Sequence, residues 1–342
     1  MQQEYNYTPL PEPIPITEQV WPEGTLPLVC TSTLAYNHEP FIRECLDGIL
    51  MQKTTFPVQV LVHEDCSTDR TAEILKEYQA KYPNLIKVFY QPENVYSLKD
   101  QEEKRKRRAE FNSWRTGKYI ALCEGDDYWI DPLKLQKQVE FLEENNEFSM
   151  CFTNAEILFD GIINLKSDDF LYNHLKTKSY SGNEILKKWT VPTASVIFRN
   201  YFKEGKTLPI DKRFMFGDII IFLWLAESGK LWCVNDKTVV YRRNLNGLTY
   251  KKFDYKKRLN HYLAIRENFG AKYEKTTKFL IAKSYIGGFI TGKLGIQSVN
   301  VLKDILKNRK YLPLFIVYLP LDLFKSISNK IKLNIYKHRL HD

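Results

Sequence analysis

The sequence contains few cysteines, no long apolar run and no leader-like start, and each absence excludes a class of protein. Its six cysteines form no CxxC pair among 342 residues, which argues against a disulfide framework and favours a reducing compartment. The most apolar run, Tyr311–Phe324, contains two prolines and an aspartate and is shorter than the ~20 residues that a bilayer crossing needs. No basic and apolar leader opens the chain, so no secretory signal is expected. These absences predict a cytoplasmic protein without a spanning helix.

The net charge of +9 is unevenly distributed along the chain. Residues 251–342 hold 20 Lys+Arg and 6 Asp+Glu, a net charge of +14, whereas the first 250 residues carry a net charge of −5. A nucleic-acid-binding protein should interleave basic and aromatic residues on a recognisable module, and no such module is present. The excess of positive charge therefore describes a basic tail, and nucleic acid is not an expected partner.

The chain divides into three segments by composition. Residues 1–27 hold six of the 15 prolines and predict an extended arm, either draped on the domain or loose. Strands then alternate with helices of 10–15 residues, which predicts an α/β domain over 28–250 with a mostly parallel sheet and covered faces. We divide it at residue 130 into a ligand-binding half and a second half, 131–250. Residues 251–342 predict a mostly helical extension.

Local signals place several helix starts. Asp69 and Asp131 are predicted N-caps, and Pro132 would occupy the first helical position. Ser181 and Glu184 have the spacing of a capping box. Residues 193–199 predict a strand, and Gly217–Ser228 predicts a helix.

Two carboxylate clusters directly follow predicted strands. Glu64 and Asp65 follow VQVLVH, and Glu124, Asp126 and Asp127 follow KYIALC. Ligands of open α/β sheets bind at the carboxyl ends of the strands. Mg²⁺ and Mn²⁺ typically take one or two carboxylates together with substrate phosphates. A polar β-turn without a ligand remains the structural alternative for the second cluster.

Three ordered motifs carry a resemblance to a known family. They read PLVCTSTLAYNHEP, VLVHEDCSTDRTAEIL and GKYIALCEGDDYWIDP. Together they resemble the family 2 inverting glycosyltransferases of the bacterial surface-polysaccharide type, with EGDDYW as a variant of the family's Asp-x-Asp-Asp element. The resemblance covers about residues 28–245. It implies a GT-A (nucleotide-diphospho-sugar transferase) fold, which is a Rossmann-like mixed sheet flanked by helices, here with a C-terminal helical extension.

The resemblance also implies roles for individual residues. Contacts with the donor nucleotide would come from residues on all three motifs and from one arginine, namely Tyr36, Glu64, Asp65, Arg108, Glu124 and Asp126. Asp126 and Asp127 would hold Mn²⁺ or Mg²⁺. For Arg108, a solvated helix face stays the alternative. Arg242 and Arg243 lie where the family has a segment that closes over the donor phosphates.

Inverting transfer needs a carboxylate that removes the proton of the acceptor hydroxyl. Asp218 is the candidate, because family members carry such an acid at the start of a helix similar to FGDIIIFLWLAESGK. A helix N-terminus would favour its ionised form. The alternative is that Asp218 only caps the helix.

The expected reaction is metal-dependent transfer of a sugar, with a UDP-sugar as the favoured donor, to a hydroxyl of a glycan or lipid-linked acceptor in surface polysaccharide synthesis. A non-catalytic or differently specialised nucleotide-sugar-binding protein is the alternative, ahead of a basic nucleic-acid-binding protein. A sugar-phosphate nucleotidyltransferase should have a glycine-rich loop after the first strand, where this chain reads TLAYNHEP. A processive synthase should have several spanning helices.

The basic extension leaves three interpretations open. Its mixture of apolar runs with Lys and Arg is typical of amphipathic helices that lie in a membrane interface. It would then anchor the protein peripherally to an anionic leaflet, on the inner face of the cytoplasmic membrane. A helical cap packed on the domain and a contact in a homodimer are the alternatives.

Overall fold

The structure is a computed structural model, and it describes residues 6–159, 162–163, 174–188, 190–243, 254–292 and 296–323. The strands are β1 Ile14–Pro15, β2 Val29–Ala35, β3 Lys53–Thr54, β4 Val58–Glu64, β5 Ile86–Tyr90, β6 Tyr119–Leu122, β7 Tyr128–Trp129, β8 Phe148–Phe159, β9 Ile162–Ile163, β10 Lys178–Tyr180, β11 Ile197–Arg199 and β12 Lys230–Arg243. The helices are α1 Ile42–Leu50, α2 Thr71–Lys81, α3 Gln101–Ser113, α4 Lys134–Glu144, α5 Gly182–Lys188, α6 Gly217–Ser228, α7 Tyr255–Phe269, α8 Glu274–Thr291, α9 Ile296–Lys307 and α10 312–323.

The main sheet is mixed, in the order β10-β12-β8-β11-β6-β2-β4-β5, with β7 on β12 and β9 on β8. Strands β6, β2, β4 and β5 are parallel neighbours, and β8 and β12 form another parallel pair. Strand β11 lies between these two parallel groups and is antiparallel to both of its neighbours, β6 and β8. Helices flank this sheet, as the predicted α/β fold class requires, and the parallel character is limited to its two groups.

Burial on both faces of the sheet explains the consecutive apolar residues in the middle of β4. Val60, Leu61 and Val62 of β4 are all fully buried, as expected of a parallel strand covered on both faces. Helix α1 buries Ile42 and Leu46 on one side, at the helical spacing seen in the sequence. Apolar packing on both faces thus holds the loops at the carboxyl edge of the sheet.

Three local predictions differ from the structure. Helix α2 begins at Thr71, and the Asp69 carboxylate accepts from the backbone and hydroxyl of Thr71. Helix α4 begins at Lys134, because Asp131 accepts from the Leu133 amide and so stabilises a turn before the helix. Residues 193–195 form a 3₁₀ turn before β11, where the amide and hydroxyl of Ser195 both donate to the Pro192 carbonyl.

The N-terminal arm lies along the first part of the sheet domain. Strand β1 pairs with β3 in antiparallel register, and the Leu10 amide donates to the Thr55 carbonyl at 2.9 Å. The side-chain amide of Gln19 donates to the Thr54 carbonyl at 2.7 Å. Of the two arrangements left open by the sequence, the described part of the arm follows the draped one.

The chain folds as two units, one of residues 1–207 with 225–245 and one of residues 208–224 with 246–342. The sequence had assigned 208–224 to the domain ending at residue 250, and the domain bounds at 27, 130 and 250 stay predictions. In the second unit, described helices pack around an apolar and aromatic cluster formed by Tyr255, Ile281, Tyr285, Ile286, Val301, Ile305, Tyr311 and Phe315. Among the described helices, none is long and apolar enough to cross a membrane.

Candidate functional site

Three parallel strand ends meet at one edge of the sheet. Strand β2 lies between β4 and β6, and in this register Ala35 is opposite Glu64 and Ser32 is opposite Leu122. From β2 the chain continues through β4 and β5 on one side, and it then returns to form β6 on the other side. This reversal makes the edge a topological switch point, where α/β folds bind ligands. The loops that follow these three strands therefore form the candidate site.

The loops after β2 and β4 are joined by hydrogen bonds between side chains and backbone. Asn37 has a left-handed backbone (φ 54°), and its side-chain oxygen accepts from the Thr68 amide at 2.8 Å. The Asp69 carboxylate accepts from the Glu39 amide at 3.0 Å and from the Thr71 amide at 2.9 Å. Although burial opposes it, the hydrogen bond from the Thr71 hydroxyl, followed by those from the two amides, lowers the pKa of Asp69. Asp69 therefore joins the two loops as an ionised carboxylate.

Glu64 closes the turn that follows β4. Its buried carboxylate accepts from the Ser67 amide at 2.6 Å and from the Cys66 amide at 3.2 Å. Cys66 is held in the left-handed region (φ 58°), which is uncommon for a residue other than glycine. The structure thus shows Glu64 shaping the loop, and the donor contact predicted for it stays a prediction.

Asp65 organises a second loop, residues 94–97. One carboxylate oxygen accepts from the Val95 amide at 2.7 Å and the other from the Tyr96 amide at 3.1 Å. The Asn94 side chain donates to the Asp65 carbonyl at 3.0 Å. Exposed Tyr36, at the end of β2, also belongs to this edge. A nucleotide base bound beside Asp65 would be positioned by the loop that Asp65 itself holds.

The third cluster is a tight turn that only glycine fits at its second position. The Asp127 amide donates to the Glu124 carbonyl at 3.0 Å, and the Gly125 amide donates to the Leu34 carbonyl at 3.0 Å. A Cβ atom on Gly125 would lie 2.5 Å from His38 Nδ1 and 2.9 Å from the Leu34 carbonyl oxygen. Glycine therefore lets the carboxylate turn sit directly against the loop after β2.

The two aspartates of this turn differ in burial. Asp126 is half-buried, whereas Asp127 is only 3% exposed. Burial, followed by the charges of Asp126 and Glu124, raises the pKa of Asp127 well above its usual range. Like charges held this close make the turn a favourable place for a cation.

The carboxylates fit a divalent metal ion whose ligands come partly from the protein and partly from a bound substrate. The described residues contain no group of three His, Cys, Asp or Glu side chains that could hold a metal alone. Mg²⁺ and Mn²⁺ often keep only one or two protein carboxylates and complete their shell with phosphate oxygens and water. Asp126 and Asp127 suit that kind of site, where a bound ion would supply Lewis-acid stabilisation of a leaving diphosphate.

Arg242, at the end of β12, holds the carboxylate turn in place. Its amide donates to the Asp127 carboxylate at 2.8 Å, and its guanidinium donates to the Asp126 carbonyl at 2.9 Å. The guanidinium also pairs with Glu44 on α1. Its carbon lies 4.8 Å from the ring centroid of Phe41, at a cation–π distance.

The side chain of Arg242 is therefore already engaged by the protein. It acts as a positioning residue for Asp126 and Asp127, and the phosphate contact predicted for Arg242 or half-buried Arg243 stays a prediction. The sequence held no signal for the Glu44 pairing, because the two residues are 198 positions apart.

Comparison with known proteins identifies the family. Residues 33–205, slightly more than half of the chain, match the profile described as glycosyl transferase family 2. The chain belongs to glycosyl transferase family 2. The predicted family and its enzyme class, a glycosyltransferase, are thereby confirmed.

Relatives of this family 2 glycosyltransferase match it over part of their length. An uncharacterized protein of Mycobacterium tuberculosis H37Rv is 32% identical over 224 residues, which cover 65% of this chain and 60% of that protein. The chain therefore spans about 60% of the length of this relative. The putative teichuronic acid biosynthesis glycosyltransferase TuaG of Bacillus subtilis is 34% identical over 132 residues, 39% of this chain and 48% of that one.

Among solved structures, TarS 1-349 from S. aureus in complex with UDP-GlcNAc has a TM-score of 0.56. The two sequences are 17% identical, and the match covers 82% of this chain and 80% of that chain. The likeness confirms the predicted GT-A fold class of the family 2 chain.

Apart from Arg242 and Arg243, described above, the predicted site residues of this family 2 chain fall into three groups. Six lie on the loops of one sheet edge, at the ends of β2, β4 and β6: Tyr36, Glu64, Asp65, Glu124, Asp126 and Asp127. Arg108 is exposed on α3. The pKa of His63 on β4 is lowered mainly because His63 is buried, and the positive charge of Arg108 lowers it further. Asp218 belongs to the second unit.

Asp218 lies in the first turn of α6, one residue after the helix start, and is half-buried. Its carboxylate accepts from the Ile219 amide at 2.8 Å. An acidic side chain in the first turn interacts favourably with the positive end of the helix dipole.

The segment before Asp218 is anchored by α7, a feature that the sequence analysis missed. The Met215 amide donates to Nδ1 of buried His261 at 3.1 Å, and Phe216 packs edge-on against the same imidazole. Arg213 bridges Asp211 and Glu267 at 2.6 Å each. These contacts hold in place the segment of chain that leads into α6.

His261 should make the protein sensitive to acid. Burial, followed by the charge of Arg258, lowers the pKa of His261 from 6.5 to about 4. The unfolded chain then binds the proton first, so stability is lost as the pH falls below the unfolded value. At about pH 5 we expect a loss of roughly 2 kcal/mol relative to neutral pH.

The measurement is the Tm as a function of pH for wild type and His261→Gln, which keeps a hydrogen-bond acceptor without titrating. The variant starts from a lower Tm at neutral pH because the imidazole packing is lost, but its slope below about pH 6.5 should be shallower. Parallel slopes in the two proteins would contradict this account.

Proposed function

We propose that the protein transfers a sugar from a nucleoside-diphosphate sugar, with a UDP-sugar as the favoured donor, to a hydroxyl acceptor with inversion. One observation carries this proposal. A family 2 domain carries the Asp65 loop and the turn of Glu124, Asp126 and Asp127 at the ends of the two strands that flank β2, at the switch point of its sheet. A nucleotide and a metal-bound diphosphate need these two kinds of site side by side.

In the proposed complex, Asp65 and Tyr36 contact the base, Glu64 supports their loop and Glu124 lies toward the ribose. Asp126, and Asp127 through the oxygen that does not accept from Arg242, would hold Mn²⁺ or Mg²⁺. Arg108 is a candidate for the diphosphate, since guanidinium groups bind phosphates in a bidentate manner. Arg242 holds Asp126 and Asp127 in position during turnover.

Asp218 is the proposed general base. It would take the proton of the acceptor hydroxyl while the oxygen attacks the anomeric carbon, and the nucleoside diphosphate leaves from the opposite face. Positive charge develops on the sugar as in other glycosyl transfers. The single displacement inverts the configuration at that carbon.

The proposed acceptor is a glycan or a lipid-linked glycan in surface polysaccharide synthesis. The similarity to TuaG, named as a teichuronic acid biosynthesis glycosyltransferase, supports this class. The complex of TarS with UDP-GlcNAc supports a UDP-sugar as donor. We further propose that the protein works in the cytoplasm, peripherally at the inner face of the membrane.

A melting panel tests the donor proposal. Wild-type protein is heated with UDP, GDP, CDP and dTDP, each with and without Mn²⁺ or Mg²⁺. Ligand binding to the folded state raises Tm, so UDP with metal should raise it more than UDP alone or metal alone. An equal response to all nucleotides, or no effect of metal, would contradict a metal-dependent UDP site.

A further inference from the structure

Helix α10 contains a single charged side chain, and that side chain forms an ion pair within the protein. Asp322 forms an ion pair with Lys283 of α8, and both side chains are largely buried. Lys283 also lies over the ring of Tyr318 on α10. These contacts dock one side of α10 on α8 and leave no charge on its other side.

The other side of α10 is apolar and exposed. Ile316 is 61% exposed, Val317 60% and Leu321 56%, whereas Phe315 is buried in the helical cluster. At about 100° per residue, the exposed side chains share one half of the helix surface. We call Ile316, Val317, Leu321 and Leu323 the apolar face of α10.

The preceding helix repeats the pattern in weaker form. Val299, Leu302 and Leu306 of α9 are exposed and lie on one stripe, at intervals of three and four residues. Val301 and Ile305 are fully buried on a different side of the helix. Exposed apolar side chains thus follow one another along two consecutive helices, which is uncommon on a surface that faces only water.

Exposed basic side chains, which we call the basic border, precede the apolar face of α10 in the chain. Lys303 and Lys307 of α9 are exposed, as are Arg309 and Lys310 in the turn that leads into α10. In sequence, residues 324–342 add five further Lys and Arg and one Asp. Apolar residues together with a basic border match the chemistry of an anionic lipid interface.

We propose that the apolar face of α10, with its basic border, docks on the surface of an anionic membrane. The helix is 12 residues long, or about 18 Å, so it would lie in the interface and not cross the hydrocarbon core. A second copy of the chain suits the face less well, because an isologous contact would bring the same basic residues together. The inference is independent of the transfer reaction.

Vesicle co-sedimentation of the full chain tests the proposal. Vesicles of phosphatidylcholine, with and without phosphatidylglycerol, are used at increasing salt. Wild type should bind the anionic vesicles and lose binding as salt screens the basic border. Ile316→Glu with Leu321→Glu should lower the partition coefficient by about tenfold or more, because two charges enter the apolar contact. Equal binding of this variant and wild type would overturn the proposal.

The matched control is Val20→Glu with Ile210→Glu, which adds two charges at apolar residues that are 90% and 74% exposed elsewhere. It should bind as wild type does. A second variant, Arg309→Glu with Lys310→Glu, leaves the apolar face intact and should abolish the preference for anionic vesicles. Wild-type binding that is equal on neutral vesicles would overturn the assignment to an anionic surface.

Sedimentation velocity without lipid separates the membrane from a second copy. A monomer whose vesicle binding depends on the apolar face supports the proposal. A dimer that Ile316→Glu with Leu321→Glu dissociates, together with no vesicle binding by wild type, would assign the face to self-association and overturn it. Release of nucleoside diphosphate during turnover should be unchanged in the Ile316→Glu with Leu321→Glu variant and in the Arg309→Glu with Lys310→Glu variant.

Discussion

Asp218→Asn is expected to lower kcat by about 10²–10⁴-fold while the dissociation constant of the donor stays unchanged, because it removes the proposed general base and no proposed donor ligand. The asparagine oxygen can still accept from the Ile219 amide, as the carboxylate does at 2.8 Å. The first turn of α6 should therefore keep its geometry. What the variant loses is the ability to take up the acceptor proton.

The measurement is release of nucleoside diphosphate during turnover, paired with calorimetric titration of the nucleoside diphosphate that raises the Tm most, which reports on the donor site. Glu227→Gln is the matched control, because it removes the same charge from an exposed position of the same helix. It should retain kcat. Turnover by Asp218→Asn at the wild-type rate would remove Asp218 from the mechanism, and loss of donor binding would move it to the donor site.

The elements that form the candidate site were predictable because their sequence signals are local. Each of β2, β4 and β6 is a short, mostly buried strand followed by polar residues, and parallel strands bring such ends to one edge. Gly217–Ser228 is helical over the predicted range. The capping box is present, since Glu184 accepts from the Ser181 amide at 2.9 Å. Periodicity and turn chemistry act over a few residues, so a single sequence shows them.

The contacts that hold the site are non-local and were not predictable. The pairing of Arg242 with Glu44 joins β12 to α1, and the imidazole of His261 anchors the segment before Asp218 from α7. Neither contact follows from a spacing rule, because each depends on where the topology places distant elements. The extended form of β12, Lys230–Arg243, likewise results from its pairing with β8 over most of its length.

Burial also distinguishes the two neighbouring aspartates of the EGDD turn, which the sequence motif does not. Asp126 and Asp127 are adjacent in the EGDD turn, yet one oxygen of buried Asp127 accepts from the Arg242 amide at 2.8 Å. Asp126 is half-buried, and its side chain is not part of that clamp. We therefore rank Asp126 as the principal proposed metal ligand and Asp127 as its partner.

Asp126→Asn should therefore strongly weaken the metal-dependent part of donor binding. Removing one anionic ligand from a site that offers only one or two carboxylates should weaken Mn²⁺ affinity in the nucleotide complex by about 10–100-fold or more. Asp127→Asn should have a smaller effect, since its amide oxygen keeps the hydrogen bond from Arg242. The measurement is Mn²⁺ titration in the presence of UDP, followed by Tm.

The control for the Asp126 prediction is Asp236→Asn, which removes one carboxylate from an exposed position of β12. It should titrate as wild type does. A Mn²⁺ response that is intact in Asp126→Asn and lost in Asp127→Asn would reverse the ranking. A response intact in both variants would place the metal outside the turn of Glu124–Asp127. Because Arg242 holds the turn from the protein side, these substitutions change its charge without removing that support, so the titration reports on ligation directly.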